Sequence, residues 1–120
     1  MLESSKLIPE HFKAESKVWI FQASQFIAEK KTKEIQQDLN IFINNWESHQ
    51  FPVEGHAHIF FNKFIIISAD ETTNTVGGCS IDAMFNYIKK LEKKHDIELL
   101  NRTNLVFFQN KRFIQIPFHT

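Results

Sequence analysis

Apolar residues along this chain change period several times. Val18-Trp19-Ile20-Phe21 is a short run of β-branched and aromatic residues, apolar on both sides, which predicts a central strand. From about Thr32 to Ser48 the spacing becomes helical. Ile35, Leu39, Phe42, Ile43 and Trp46 form one stripe, and Lys33, Glu34, Gln36, Gln37 and Asn40 fill the solvent side. Thr32 is the expected N-cap, and Phe51-Pro52 with Gly55 marks the exit.

His56-Ala57-His58-Ile59-Phe60-Phe61 and Phe64-Ile65-Ile66-Ile67-Ser68-Ala69 read as a hairpin with a two-residue turn at Asn62-Lys63. In that register Phe61, Ile59 and Ala57 face Phe64, Ile66 and Ser68 on one side of the sheet. His56, His58 and Phe60 share the other side with Ala69, Ile67 and Ile65. A polar loop from Asp70 to Cys79 ends in Gly77-Gly78. A second helix is expected from Ser80, its N-cap, with Asp82 in the first turn and Ile81, Met84, Ile88 and Leu91 as its apolar stripe, Phe85 beside them. Lys89, Lys90, Lys93 and Lys94 suit the negative end of that helix and read most simply as a solvated helix end. Leu105-Val106-Phe107-Phe108 and Phe113-Ile114-Gln115-Ile116 form a second hairpin about Asn110-Lys111, and Pro117 suits an edge strand. Residues 1–16 read as an irregular arm.

The order β-α-β-β-α-β-β predicts a single α+β domain over residues 1–120. The expected topology is a ferredoxin-like split βαβ antiparallel sheet, two helices on one face and one strand added at the C-terminal end. The face away from the helices is also largely apolar. In a plain ferredoxin-like fold it would meet water, so a second copy of the chain is expected to cover it, or it forms a pocket. A homodimer is the expectation.

Composition narrows the function. The chain has 120 residues with 13 Phe, so its core is unusually aromatic. The 14 basic residues balance the 14 acidic ones, which leaves no electrostatic reason to hold nucleic acid or an anionic membrane. Cys79 is the single cysteine, which suits a reducing compartment. The opening residues carry no apolar run of signal-peptide length, and Phe64-Ile65-Ile66-Ile67 is far too short to span a bilayer. A cytoplasmic protein is expected.

Four groups of residues could carry chemistry. Cys79, just before a helix N-terminus and behind two glycines, could be an activated thiolate with His49, His56 or His58 as base and Asp70 or Asp82 orienting it. The simpler reading is a small apolar residue packed on Met84 as a hydrophobic staple. His56 and His58 share one strand face and could hold a metal, with Glu54, Asp70, Glu71 or Cys79 as third ligand; incidental placement is the simpler reading. Asp70-Glu71 closes a buried strand and could act as acid, base or metal ligand; capping a turn is the simpler reading. Arg102 could clamp an anion or tie to Asp70 or Asp82. The chain lacks a G-x-x-x-x-G-K-[ST] phosphate loop, a G-x-G-x-x-G fingerprint, H-E-x-x-H and G-x-S-x-G.

Several separated motifs occur in order: Leu2-Glu3-Ser4-Ser5-Lys6, Val18-Trp19-Ile20-Phe21-Gln22, Trp46 with His49, Ala69-Asp70-Glu71, Gly78-Cys79-Ser80-Ile81-Asp82, and Leu99 with Asn101-Arg102. Over most of residues 1–105 this resembles a family of small bacterial proteins often labelled "ABC transporter ATPase". The match departs at Asn101, where an aspartate is expected. No nucleotide-binding loop accompanies the label, so the resemblance implies no ATPase chemistry and no cofactor. It implies a shared cluster of Asp70, Glu71, Cys79, Ser80, Asp82 and Arg102. The functional expectation is a non-enzymatic binding domain for a small ligand or partner at that cluster. The alternative is a thiol- or metal-dependent enzyme using Cys79 or His56 and His58.

Overall fold

Trp19 and Phe21 leave almost no surface exposed, and the fold is arranged around the strand that carries them. The computed structural model describes residues 16–71 and 75–101, with the strand backbone of residues 103–109 and 112–116. The N-terminal arm over residues 1–15, Arg102, the Asn110-Lys111 turn and Pro117 lie outside the described residues.

The elements in chain order are β1 (Ser16–Gln22), α1 (Glu29–Asn45), β2 (Glu47–Ser48), β3 (Phe51–Pro52), β4 (Glu54–Phe60), β5 (Phe64–Asp70), α2 (Gly78–His95), β6 (Thr103–Gln109) and β7 (Arg112–Ile116). Five strands form one sheet in the order β4-β5-β1-β6-β7, and β2 and β3 form a separate ribbon. Every neighbouring pair is antiparallel. The protein is therefore a mixed α+β structure with an antiparallel sheet and two helices. β1 is the middle strand, as its two-sided apolarity predicts.

Alternate residues of three adjacent strands build the core: Trp19 and Phe21, Ala57 and Ile59, and Ile65, Ile67 and Ala69. They meet Ile35 and Leu39 of α1 and Met84, Ile88 and Leu91 of α2. Burying each large side chain here contributes about 2–3 kcal/mol. The free edge of β4 is closed by a side chain. Gln36 donates from Nε2 to Ala57 O at 2.9 Å, and its Oε1 accepts from Ile59 N at 3.2 Å. Its amide thus stands in for a neighbouring strand at that point.

The first hairpin departs from expectation. Its turn has three residues, Phe61-Asn62-Lys63, with Phe60 opposite Phe64. Phe61 and Asn62 take left-handed conformations (φ 55 and 53). The segment between β1 and α1 holds this turn: Ala23 N donates to Lys63 O at 2.8 Å and Ile27 N to Asn62 O at 2.7 Å. One extra residue slips the register by one, so every β5 side chain changes partners. Ile59 pairs with Ile65 and Ala57 with Ile67 on the helix side, while His58 pairs with Ile66 and His56 with Ser68 on the other.

The helix starts also differ. α1 begins at Glu29 with Ala28 as N-cap, and Thr32 lies inside it, its N–H bonded to Ala28 O at 2.8 Å. Ala28-Glu29-Lys30-Lys31 are good helix formers, and Glu29 suits the first turn, so the helix extends back past the expected cap. It also ends earlier. Trp46 is the C-cap residue, with extended ψ, rather than a member of the stripe. α2 begins at Gly78 with Gly77 as N-cap, which moves Ser80 inside the helix and Asp82 beyond its first turn.

The second sheet face is not open at its centre. Val18, Ile66 and Ser68 are buried within the single chain, while His58 is exposed and Ile20, His56, Phe60 and Phe64 are half-buried. No helix among the described residues is long and apolar enough to cross a membrane.

Candidate functional site

The ribbon absent from the sequence reading organises the candidate site. It joins β2 to β3 through His49-Gln50, with Ser48 opposite Phe51. Both turn residues have positive φ, 55 and 68. Such a two-residue turn ordinarily takes Asn and Gly, so His49 and Gln50 hold local backbone strain there.

Four hydrogen bonds fasten the ribbon and its flank to the start of α2. Trp46 Nε1 donates to Ser80 O at 2.9 Å, and Ser80 Oγ donates to Glu47 O at 2.6 Å. Ser48 Oγ donates to Thr75 O at 2.8 Å and accepts from Gly77 N at 3.2 Å. His49 lies over Gly77. A Cβ built on that glycine would stand 3.3 Å from His49 Nε2, whereas one on Gly78 would meet nothing within 4 Å. One side of the first turn of α2 is thus docked, and the side bearing Gly78, Cys79 and Asp82 is exposed. Among the described residues no side chain caps this helix N-terminus.

Of the expected cluster, Glu71, Cys79, Ser80 and Asp82 lie in or beside this turn, with unequal roles. Glu71 closes the loop into α2: Oε2 accepts from Val76 N at 2.9 Å and pairs with Lys17 Nζ at 3.2 Å. Lys17 Nζ also reaches Val76 O at 3.4 Å. Ser80 is buried and committed to Glu47 O. Asp70 is buried at the end of β5, opposite Ser16 and Glu54. Cys79 and Asp82 face solvent. The staple reading of Cys79 fails, because the helix starts before it and turns its side chain outward while Met84 is fully buried. Arg102 lies outside the described residues.

His56 and His58 project side by side, their rings 6.2 Å apart and nearly parallel, with His58 also edge-on to Phe60 at 4.7 Å. Among the described residues no group of three His, Cys, Asp or Glu side chains could hold a metal ion.

A second polar cluster escaped the sequence reading. Asp38 of α1 accepts at Oδ2 from Lys94 Nζ and from His95 Nε2, each at 2.9 Å, and its backbone O accepts from Tyr87 Oη at 2.6 Å. Partial burial pushes the Asp38 carboxyl up, but the hydrogen bonds from Lys94 and His95 and their charges outweigh it and leave it below its ordinary value. An ionised carboxylate only accepts, so His95 carries a hydrogen on Nε2. Burial, then the Asp38 charge, pushes the Tyr87 hydroxyl up to about 12. Asp38 belongs to α1 and its three partners to α2, 49 to 57 positions further along the chain. The only hint in the sequence was that Lys94 and His95 are adjacent in a last turn.

No family model, curated protein or solved structure matches the chain.

Proposed function

We propose that this protein is a non-enzymatic ligand- or partner-binding domain whose working surface is the N-terminal turn of α2. The observation that carries this is the uncapped first turn, which presents Gly78, Cys79 and Asp82 to solvent while Trp46, Ser48 and Ser80 hold its back in place. Unsatisfied helix N–H groups with open space before them favour an acceptor group. The rigid mounting reduces the ordering cost of binding. The fold reading is ferredoxin-like. It is supported by the placement of β5 between β4 and β1 and of β1 between β5 and β6. A homodimer, if formed, would use the exposed rim of the second face around His58 and Phe61, since the centre of that face is already buried. The exposed lone thiol of Cys79 suits a reducing, cytoplasmic setting.

Native mass spectrometry of the purified protein tests this reading. A retained small molecule or bound partner, lost in a Gly78→Val variant that fills the open space, supports it. A bare monomer from every preparation overturns both binding and the dimer. A thiol-dependent enzyme is the second reading, favoured by the exposed Cys79 beside the His49-Gly77 contact. Rapid alkylation of Cys79 at pH 6 would support it, and an ordinary slow rate would remove it.

A further inference from the structure

Lys90 and Lys94 do not simply end a helix in water: they rim a groove between the two helices. The groove encloses about 240 Å³ and is lined by Asp38 and Ile41 of α1 and by Tyr87, Lys90, Leu91 and Lys94 of α2. Tyr87 and Leu91 are one helical turn apart, as are Lys90 and Lys94, so α2 presents an apolar row beside a cationic one. Leu91 is buried at the floor. Ile41 forms the opposite wall and is 62 % exposed, one of four large apolar residues so open among those described.

The rim carries a net positive charge. The Asp38 carboxylate is occupied by Lys94 and His95. Among the described residues no ion pair engages Lys90, and Lys89 and Lys93 extend the cationic row. In a chain of zero net charge this is a local excess. An apolar slot between an exposed aliphatic wall and a cationic rim suits a partner with a bulky apolar anchor and neighbouring carboxylates. A nucleic acid fits less well. The Tyr87 ring is stacked on Phe42 at 4.6 Å and its hydroxyl is bonded to Asp38 O, so this aromatic is committed within the chain instead of serving as a base-stacking platform.

We propose that this groove is a docking surface for an acidic peptide segment, which seats one apolar side chain beside Ile41 and sets carboxylates against Lys90 and Lys94. It is independent of the surface at the other end of α2.

The test is a chemical-shift titration of the ¹⁵N-labelled chain with short acetylated peptides in which one Leu or Phe is flanked by glutamates. Expected shifts cluster at Ile41, Tyr87, Lys90, Leu91 and Lys94, and binding weakens as salt is added. Ile41→Ala and Lys90→Glu each weaken binding by ~5-fold or more. Both positions are exposed, and unchanged far-UV circular dichroism establishes that the variants fold. The proposal is overturned if no peptide shifts these residues, or if a lysine-flanked or alanine-centred peptide binds equally well. It is also overturned if single-stranded oligonucleotide or anionic phosphatidylglycerol vesicles occupy the groove while the peptides do not.

Discussion

The indole Nε1–H of Trp46 donates to the carbonyl oxygen of Ser80 at 2.9 Å, joining the residue that ends α1 to the first turn of α2. The ring also packs against Trp19, with centroids 6.1 Å apart. Trp46→Phe keeps most of the packing and deletes the donor, so a loss of about 1 kcal/mol is expected in urea unfolding. Trp46→Ala also opens a cavity and is expected to cost about 3–5 kcal/mol.

Gly55 depends on the same ring. A Cβ there would stand 3.1 Å from Trp46 Cε3 and 3.3 Å from Ile43 Cδ1. The indole is pinned by its hydrogen bond and cannot move aside freely. Gly55→Ala is expected to destabilise by about 1–3 kcal/mol, and Trp46→Phe in the same background should recover part of that loss.

Acid unfolding should depend on Asp38. Its folded carboxyl lies below the ordinary 3.8, so the unfolded chain takes up this proton first as pH falls. The stabilisation is fully present above the unfolded value and is lost as pH drops through the folded one. Asp38→Asn is expected to reduce stability at neutral pH by about 1–3 kcal/mol and to flatten the stability curve below about pH 4. Urea midpoints measured across that range check it; an unchanged acid limb would remove Asp38 from the account.

Two buried hydroxyls on the second sheet face work against the fold. Among the described residues Ser16 Oγ and Ser68 Oγ have no hydrogen-bond partner, and both residues are almost wholly buried. Ser68→Ala removes a desolvated, unbonded group and is expected to stabilise by about 1 kcal/mol. Destabilisation instead would mean that the hydroxyl is bonded in solution, through an ordered water.

The ribbon turn offers the opposite sign of change. Replacing His49-Gln50 by Asn-Gly suits two positive φ values and is expected to add about 1 kcal/mol of stability. Thermal unfolding measures it, and binding at the α2 turn can be compared in the same variant.

Local pattern determined the large elements of this chain. The run Val18-Trp19-Ile20-Phe21 was readable as a central strand, because only a strand covered on both faces keeps apolar residues at successive positions. The stripes Ile35-Leu39 and Met84-Ile88-Leu91 were readable because a helix buries one face at a fixed spacing. Tertiary contacts decided the rest. The register of β4 on β5 followed from backbone bonds between Ala23 and Lys63 and between Ile27 and Asn62, partners that no local pattern links. The ribbon of β2 and β3 is too short to leave a periodic signal, yet it docks one side of the α2 turn and leaves Cys79 outside. The partners of Asp38 and the groove at Lys90 exist only where two helices meet, since a charge on a helix surface acquires a role from what is packed beside it. That Ser80 is buried while Cys79 and Asp82 face solvent was set by packing alone.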